Sequence, residues 1–249
     1  MKIEIAAKTE KGKVRSTNQD NFRIAKIDKD TYACVVCDGM GGASGGSEAS
    51  CIAAVSFMDH LKACYARKAP GDTPKNILKE SLNTANAAVY SYSLLHPELE
   101  GMGTTLVGFI LSDNDLTWIN VGDSRLYAAN SEGLYQISSD HSLIRELVAG
   151  GFMSEEEAEK SDIHNIITRA VGINEIVASD VSTITDIFDK YSYILLCSDG
   201  LTNMISHDDI YKILTDKSGT QRKIDSLLAD ANSSGGYDNI TAVLLAVTE

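Results

Sequence analysis

The stretch CVVCDGMGG at 34–42 places a carboxylate where an apolar run stops and three glycines follow within four residues. The preceding YACVV is rich in strand formers, so Asp38 reads as a side chain at the mouth of a buried strand, on a backbone too crowded for bulky neighbours. A single Asp-Gly after a strand is ordinarily a turn. Here the pattern recurs. INVGDS sets Asp123 after the apolar 118–121, ILLCSDG sets Asp199 after 194–197, and GGYDNIT sets Asp238 just before an apolar run. Four such places in one chain of 249 residues imply that several strand ends deliver carboxylates to a common point.

Asp20, in RSTNQDNF, adds a fifth acid. Ionised carboxylates at short range raise one another's pKa, and divalent cations supply the missing compensation. Oxygen-only ligation selects hard ions such as Mg²⁺ or Mn²⁺, whereas zinc recruits His or Cys. A carboxylate bridging two cations about 4 Å apart leaves a shared water acidic enough to attack phosphorus in line, which is a phosphoester hydrolase without a protein nucleophile. Taken singly, each aspartate reads equally well as a turn or helix cap. Competing phosphate chemistries lack their residues. No cysteine is followed six positions later by Arg, the Asp28-Lys29-Asp30 run continues Thr31-Tyr32 rather than as an aspartyl-phosphate motif, and no G-x-x-x-x-G-K-[ST] occurs. Arg15, five residues before Asp20, is the candidate fork for phosphate oxygens, with a solvated loop arginine as the plain alternative.

The formal net charge of −13 disfavours nucleic acid and anionic membrane as partners, which clustered Lys and Arg would attract. No Pro-, Ser- or charge-rich tract divides the chain, so 1–249 is expected to be one domain, and 43% hydrophobic residues suffice for its core. The start MKIEIAAKT has no signal-peptide apolar stretch and no run reaches membrane-spanning length, so a cytoplasmic location is expected. The five cysteines, Cys34, Cys37, Cys51, Cys64 and Cys197, are odd in number and sit in apolar segments, which fits reduced thiols. Cys34 and Cys37 point to opposite faces of a strand and cannot jointly hold zinc there.

The elements that would position the carboxylates follow from pattern. FRIAKI and TYACVVC form a hairpin around 28–30 that ends at Asp38, and a glycine-rich loop of unusual path is expected over 39–46. A helix is expected from about Ser47, its cap, to Arg67, and another from the cap Thr73 and first-turn Pro74 to about Leu95. TTLVGFILS, LTWINVG, RLYAAN and GLYQIS are strands joined by turns too short for anything but antiparallel pairing. Residues 142–165 break the pattern with two short helices, the second opened by a capping box of Ser154 and Glu157. Strands are expected again at HNIITR, VASDVSTIT and YSYILLC, helices near 206–214 and 221–231, and a last strand over 239–247. Blocks of strands with grouped helices indicate an α+β layered sandwich.

In order and spacing, RSTNQDNF, VVCDGMGG, MGTTLVG, VGDSRLY, SSDHSLIREL, IITRAVG, LLCSDGLTN and DNITAVLL resemble the metal-dependent protein serine/threonine phosphatases of the PP2C (PPM) family, in their compact bacterial form. The resemblance spans essentially the whole chain. It implies a four-layer α-β-β-α sandwich with two metals in a cleft at one end of two antiparallel sheets. It implies that Asp38 bridges the metals, that Asp199 and Asp238 complete the first, and that Asp20 and the Gly39 carbonyl belong to the second. Arg15 matches the phosphate-binding arginine, Asp123 with Asp199 the site of a third, weaker ion, and 142–165 a flap over the cleft. The implied substrates are phosphorylated proteins, a partner Ser/Thr kinase and its targets among them, with the enzyme a monomer. Two positions depart from the pattern: Met40 stands where eukaryotic members place a His, and Ala43 where bacterial members often have one. His141 and Asp140 are expected in structural hydrogen bonds, Thr104 and Thr105 at a strand start, and Trp118 in the core. The alternative is an inactive relative that binds phosphoproteins as a regulator, which the five retained aspartates disfavour. A third reading is a hydrolase of small phosphorylated metabolites.

Overall fold

The computed structural model describes residues 2–67, 69–159, 161, 163 and 166–248. Strands β1 (Lys2–Glu10), β2 (Asp20–Lys26) and β3 (Thr31–Met40) are followed by helices α1 (Gly42–Arg67) and α2 (Pro74–Leu95). Then come β4 (Gly103–Thr104), β5 (Leu106–Ser112), β6 (Asp115–Val121), β7 (Arg125–Ala129) and β8 (Leu134–Gln136). After α3 (Leu143–Ala149) and α4 (Glu155–Glu159) the chain runs through β9 (Asp180–Ile184), α5 (Ile187–Lys190), β10 (Tyr193–Cys197), α6 (Asp199–Thr202), α7 (His207–Thr215), α8 (Thr220–Ser233) and β11 (Ile240–Thr248).

Two sheets result, one ordered β1-β11-β10-β7-β8 and the other β2-β3-β5-β6-β9 with β4 on β3. Strand alternation of period two divides the apolar residues into three layers. Ala33, Val35 and Cys37 of β3 face α1 and α2, packing on Phe57, Leu61, Leu78 and Leu82. Cys34 and Val36 face the other sheet, meeting Leu196, Val243 and Leu245 with Phe109 and Trp118. Leu195, Cys197, Ala242 and Leu244 face α7 and α8 through Ile210, Leu214, Leu227 and Leu228. The α-β-β-α order is therefore the one expected, and the two cysteines of the C-x-x-C lie in different layers. Among the described residues no helix is long and apolar enough to cross a membrane.

Helix α2 begins where its signals place it: Pro74 occupies the first turn and the Thr73 hydroxyl accepts from the Asn76 N–H. Helix α1 does not. The expected loop over 39–46 is replaced by a strand that continues to Met40, a single turn residue Gly41 at φ +118°, and a helix already begun at Gly42, so Ser47 lies inside the helix instead of capping it. The glycines serve close packing of helix on strand. A Cβ on Gly39 would come 2.0 Å from the Gly46 carbonyl oxygen, and one on Gly46 2.7 Å from that of Gly39. The side chain of Ala43 lies outside the described residues.

The segment HNIITR is not a strand where it is described. Ile167 makes one isolated bridge with Ser142 at the foot of the excursion, while His164 and Asn165 lie outside the described residues. The helical turns α5 and α6 lack an apolar period long enough to announce them.

Candidate active site

A cleft of about 670 Å³ opens at one end of the sandwich, lined by Arg15, Asp38, Gly39, Met40, Thr105, Asp123, Ile166, Ile167, Asp199 and Asp238 among others. Four of the five expected aspartates thus meet in one space, and they come from both sheets. Asp38 stands on β3 and Asp123 just after β6; Asp199 follows β10 at the start of α6, and Asp238 precedes β11. Asp20 does not line the cleft. It pairs in register with Asp38 and is buried beneath it.

Asp38 is held at both ends of its peptide unit. Its N–H donates to the Thr105 hydroxyl at 2.9 Å, its carbonyl accepts from the Thr105 N–H at 2.9 Å and from the Thr104 hydroxyl at 2.8 Å, and Thr105 shares a 2.7 Å hydroxyl contact with Ser124. The two threonines expected as strand-start residues therefore fix the central carboxylate. Asp20 Oδ2 accepts from the hydroxyls of Ser198, just after β10, and Thr241 of β11, both from the opposite sheet's side, at 2.7 Å each. Asn239 clamps the loop that carries Arg15: its side-chain oxygen accepts from the Gln19 N–H, and its amide donates to the carbonyls of Lys11 and Thr17. Arg15 itself pairs with Asp238 at 2.8 Å while more than half exposed. Asn203 donates to Asp199 Oδ2 at 3.0 Å.

Burial and mutual repulsion govern the charges. Burial, reinforced by Asp20, Asp199 and Asp123, pushes the Asp38 carboxyl well above the usual carboxylate range. Asp199 is raised chiefly by burial and shares a hydrogen bond with Asp38. Burial pushes Asp20 up to about 7 in spite of its two hydroxyl donors, and brings Asp123 to about 7 as well.

Such a cluster fits hard divalent ions. Among the described residues the carboxylates lining the cleft offer oxygen donors, with no His or Cys beside them, and Asp20 Oδ1 is buried without a hydrogen-bond partner, the condition in which a carboxylate oxygen awaits a cation. Asp140 and His141 stay out of the cleft. Asp140 takes a bidentate grip from Arg125, and the His141 Nδ1 accepts the N–H of Gly122, next to Asp123. Met40 lines the cleft without a titratable group.

Ile166 and Ile167, just after the excursion over 142–165, line the cleft. Ser142 caps α3, and the reciprocal bonds of the expected capping box form, Glu157 accepting from the Ser154 N–H at 2.8 Å and Ser154 from the Glu157 N–H at 3.2 Å. Lys160, Asp162, His164 and Asn165 of this segment lie outside the described residues. Asn86, buried on α2, had no local signal; it binds the carbonyls of Asn174 and Glu175 and the N–H of Gly172, and so anchors the chain beyond Ile167.

Residues 9–230 match the family model described as Protein phosphatase 2C. The serine/threonine phosphatase Stp of Listeria monocytogenes is 36% identical over 238 residues, covering 96% of this chain and 93% of its own. The crystal structure of the serine/threonine phosphatase Stp1 from Staphylococcus aureus superposes with a TM-score of 0.89 at 31% identity, covering 100% of this chain and 96% of that one. That of the catalytic domain of the serine/threonine protein phosphatase PstP, in complex with two manganese ions, gives 0.82 at 29% identity with 99% of each chain covered. The chain belongs to the protein phosphatase 2C family.

Proposed function

We propose that the cleft hydrolyses phosphoserine and phosphothreonine monoesters on proteins, and that manganese is its metal. The observation that carries this reading is the convergence of Asp38, Asp123, Asp199 and Asp238 with Arg15 on one cleft above the unpartnered oxygen of Asp20. The two manganese ions in the PstP structure support the choice of ion. Asp38 with Asp199 and Asp238 would hold one ion, and Asp38 with Asp20 and the Gly39 carbonyl the other. Bound there, the ions supply charge neutralisation and water acidified toward neutral pH. Mg²⁺ would serve in the same oxygen cage, and Asp123 with Asp199 would take a third, weaker ion.

The chain's own residues do the rest. Thr104 and Thr105 keep Asp38 fixed, so no reorganisation is needed when charge gathers at phosphorus. Arg15 reaches the cleft from a loop locked by Asn239, and its guanidinium would turn from Asp238 to two oxygens of the phosphate. Met40 cannot donate a proton, so the leaving Ser or Thr oxygen takes one from water or another group. Ile166 and Ile167 shield one wall, consistent with a flap that selects the polypeptide around the phosphate.

Residues 1–249 act as one catalytic domain, working as a monomer in the cytoplasm on a partner Ser/Thr kinase and that kinase's targets. The bacterial form of the motifs supports the last point, and the net charge of −13 argues against nucleic acid. The test is manganese-dependent hydrolysis of p-nitrophenyl phosphate, phosphopeptides and phosphorylated metabolites in parallel. Turnover of phosphopeptides well above metabolites is expected. Preference for a metabolite would favour the small-molecule reading, and inactivity without calorimetric metal binding would favour the regulator.

A further inference from the structure

A second group of ligating side chains stands on the outer helical layer, about 27 Å along α1 from its start at the cleft, reckoned at 1.5 Å per residue. His60 and Cys64 are four residues apart on α1 and so share one face of it, and α2, packed alongside, contributes Glu80. Among the described residues, a ring nitrogen of His60, the Cys64 sulfur and a Glu80 carboxylate oxygen all lie within 4.8 Å of one another. The Cys64 Sγ is 3.6 Å from His60 Nδ1 and 3.9 Å from Nε2. Sulfur and nitrogen bound to one tetrahedral ion at the usual zinc distances are ~3.6 Å apart, so Nε2 at 3.9 Å is near enough to the sulfur for the two to share an ion once the ring turns that nitrogen toward it.

The surroundings fit that use. Ser81 Oγ lies 3.1 Å from His60 Nδ1 and occupies that nitrogen, which leaves Nε2 for an ion. Cys64 is nearly buried and Glu80 exposed, so the group is a shallow site with an open path and a position for water. Arg67 reaches within 3.9 Å of the sulfur, but its guanidinium is neutralised by Asp72 at 3.1 and 3.3 Å. The donor set of nitrogen, sulfur and oxygen suits borderline ions, unlike the all-oxygen cleft.

We propose that His60, Cys64 and Glu80 form a separate metal site that takes a borderline divalent transition ion of the zinc type and clamps α1 to α2. Binding converts the Cys64 thiol to a thiolate on the metal and releases its proton to solvent, so affinity rises with pH.

Cobalt titration of the full chain under a non-thiol reductant tests this, because only a sulfur ligand gives a near-ultraviolet thiolate-to-cobalt charge-transfer band and the cleft has no cysteine in its lining. One equivalent of band is expected, displaced by zinc, absent in Cys64→Ser, and at least tenfold weaker in apparent affinity in His60→Ala and Glu80→Gln. Zinc should raise the melting temperature of the parent chain and not that of Cys64→Ser. Glu80 is exposed, so Glu80→Gln keeps the test sound if a buried substitution unfolds the protein. No sulfur band in the parent, a band that persists in Cys64→Ser and so belongs to Cys51, or an unaltered affinity in Glu80→Gln would each overturn the proposal.

Discussion

Asn in place of Asp38 preserves the side chain's shape and removes its charge, leaving the threonine contacts to its backbone intact. Turnover of p-nitrophenyl phosphate should vanish while circular dichroism stays unchanged, and a variant at the parental rate would remove Asp38 from the centre of the mechanism. Arg15→Ala should instead raise KM severalfold with a smaller fall in kcat, because the guanidinium holds phosphate in both ground and transition states; a pure kcat loss would contradict that role. Protons give a further handle. With no ion bound, Asp20 and Asp123 sit at about 7, so the folded state keeps protons that the unfolded chain releases from roughly pH 4 upward. The stability these groups contribute to chelator-treated protein is therefore present at low pH and lost as pH rises toward 7. Calorimetry should show Tm falling across that window, with a shallower slope in Asp123→Asn and on adding manganese. A slope identical in parent and variant would mean that Asp123 does not carry it. Three of the lining carboxylates were readable in the sequence because a strand that ends in Asp-Gly or Asp-Ser is a local signal, and Asp238 because it stands just before an apolar run. Ser198, Thr241 and Asn239 were not, since each acts on a partner far away along the chain. Asp20 was found by its motif, though not its position beneath the cleft.

The strand β3 and helix α1 show how an element can be legible in kind and misread at its edge. Apolar spacing revealed both, and Thr73-Pro74 fixed the start of α2, yet the glycines between β3 and α1 read as loop formers when their function is contact. Local conformational freedom and tertiary closeness both select glycine, and one chain cannot tell them apart. Gly46→Ala isolates the second cause, for its methyl group meets the Gly39 carbonyl carbon and oxygen at 2.7 Å while a helix tolerates alanine well. The expected loss is about 1–3 kcal/mol by urea unfolding, with a disproportionate fall in activity because Gly39 adjoins Asp38. Unchanged stability would show that α1 can shift without cost. The brief α5 and α6, like the bridge at Ile167, are held by neighbours and leave no period to read.

Across the molecule, a layered α+β sandwich was legible because strands come in blocks and helices are grouped, while the α-β-β-α order came from the resemblance of the motifs to a known family. Which strands pair was not, since neighbours within a sheet can be hundreds of positions apart in the chain, as in the pairing of Lys2 with Thr248. The sheets meet at the cleft through Asp20 of β2, bound by Thr241 of β11 and by Ser198, which follows β10. Ions gripped by carboxylates of both sheets should therefore lower amide hydrogen exchange together around 38–40 and 239–241 when manganese is added, and protection confined to one sheet would contradict shared ligation. Chain order adds a consequence for synthesis. Strand β11 lies between β1 and β10, yet it follows every other strand, and Asp238 directly precedes it. A nascent polypeptide halted on the ribosome before that point has helices α1 and α2 and one whole sheet, but neither the strand that joins β1 to β10 in the other nor the last cleft carboxylate. An unfinished copy therefore lacks one of the four aspartates that line the cleft.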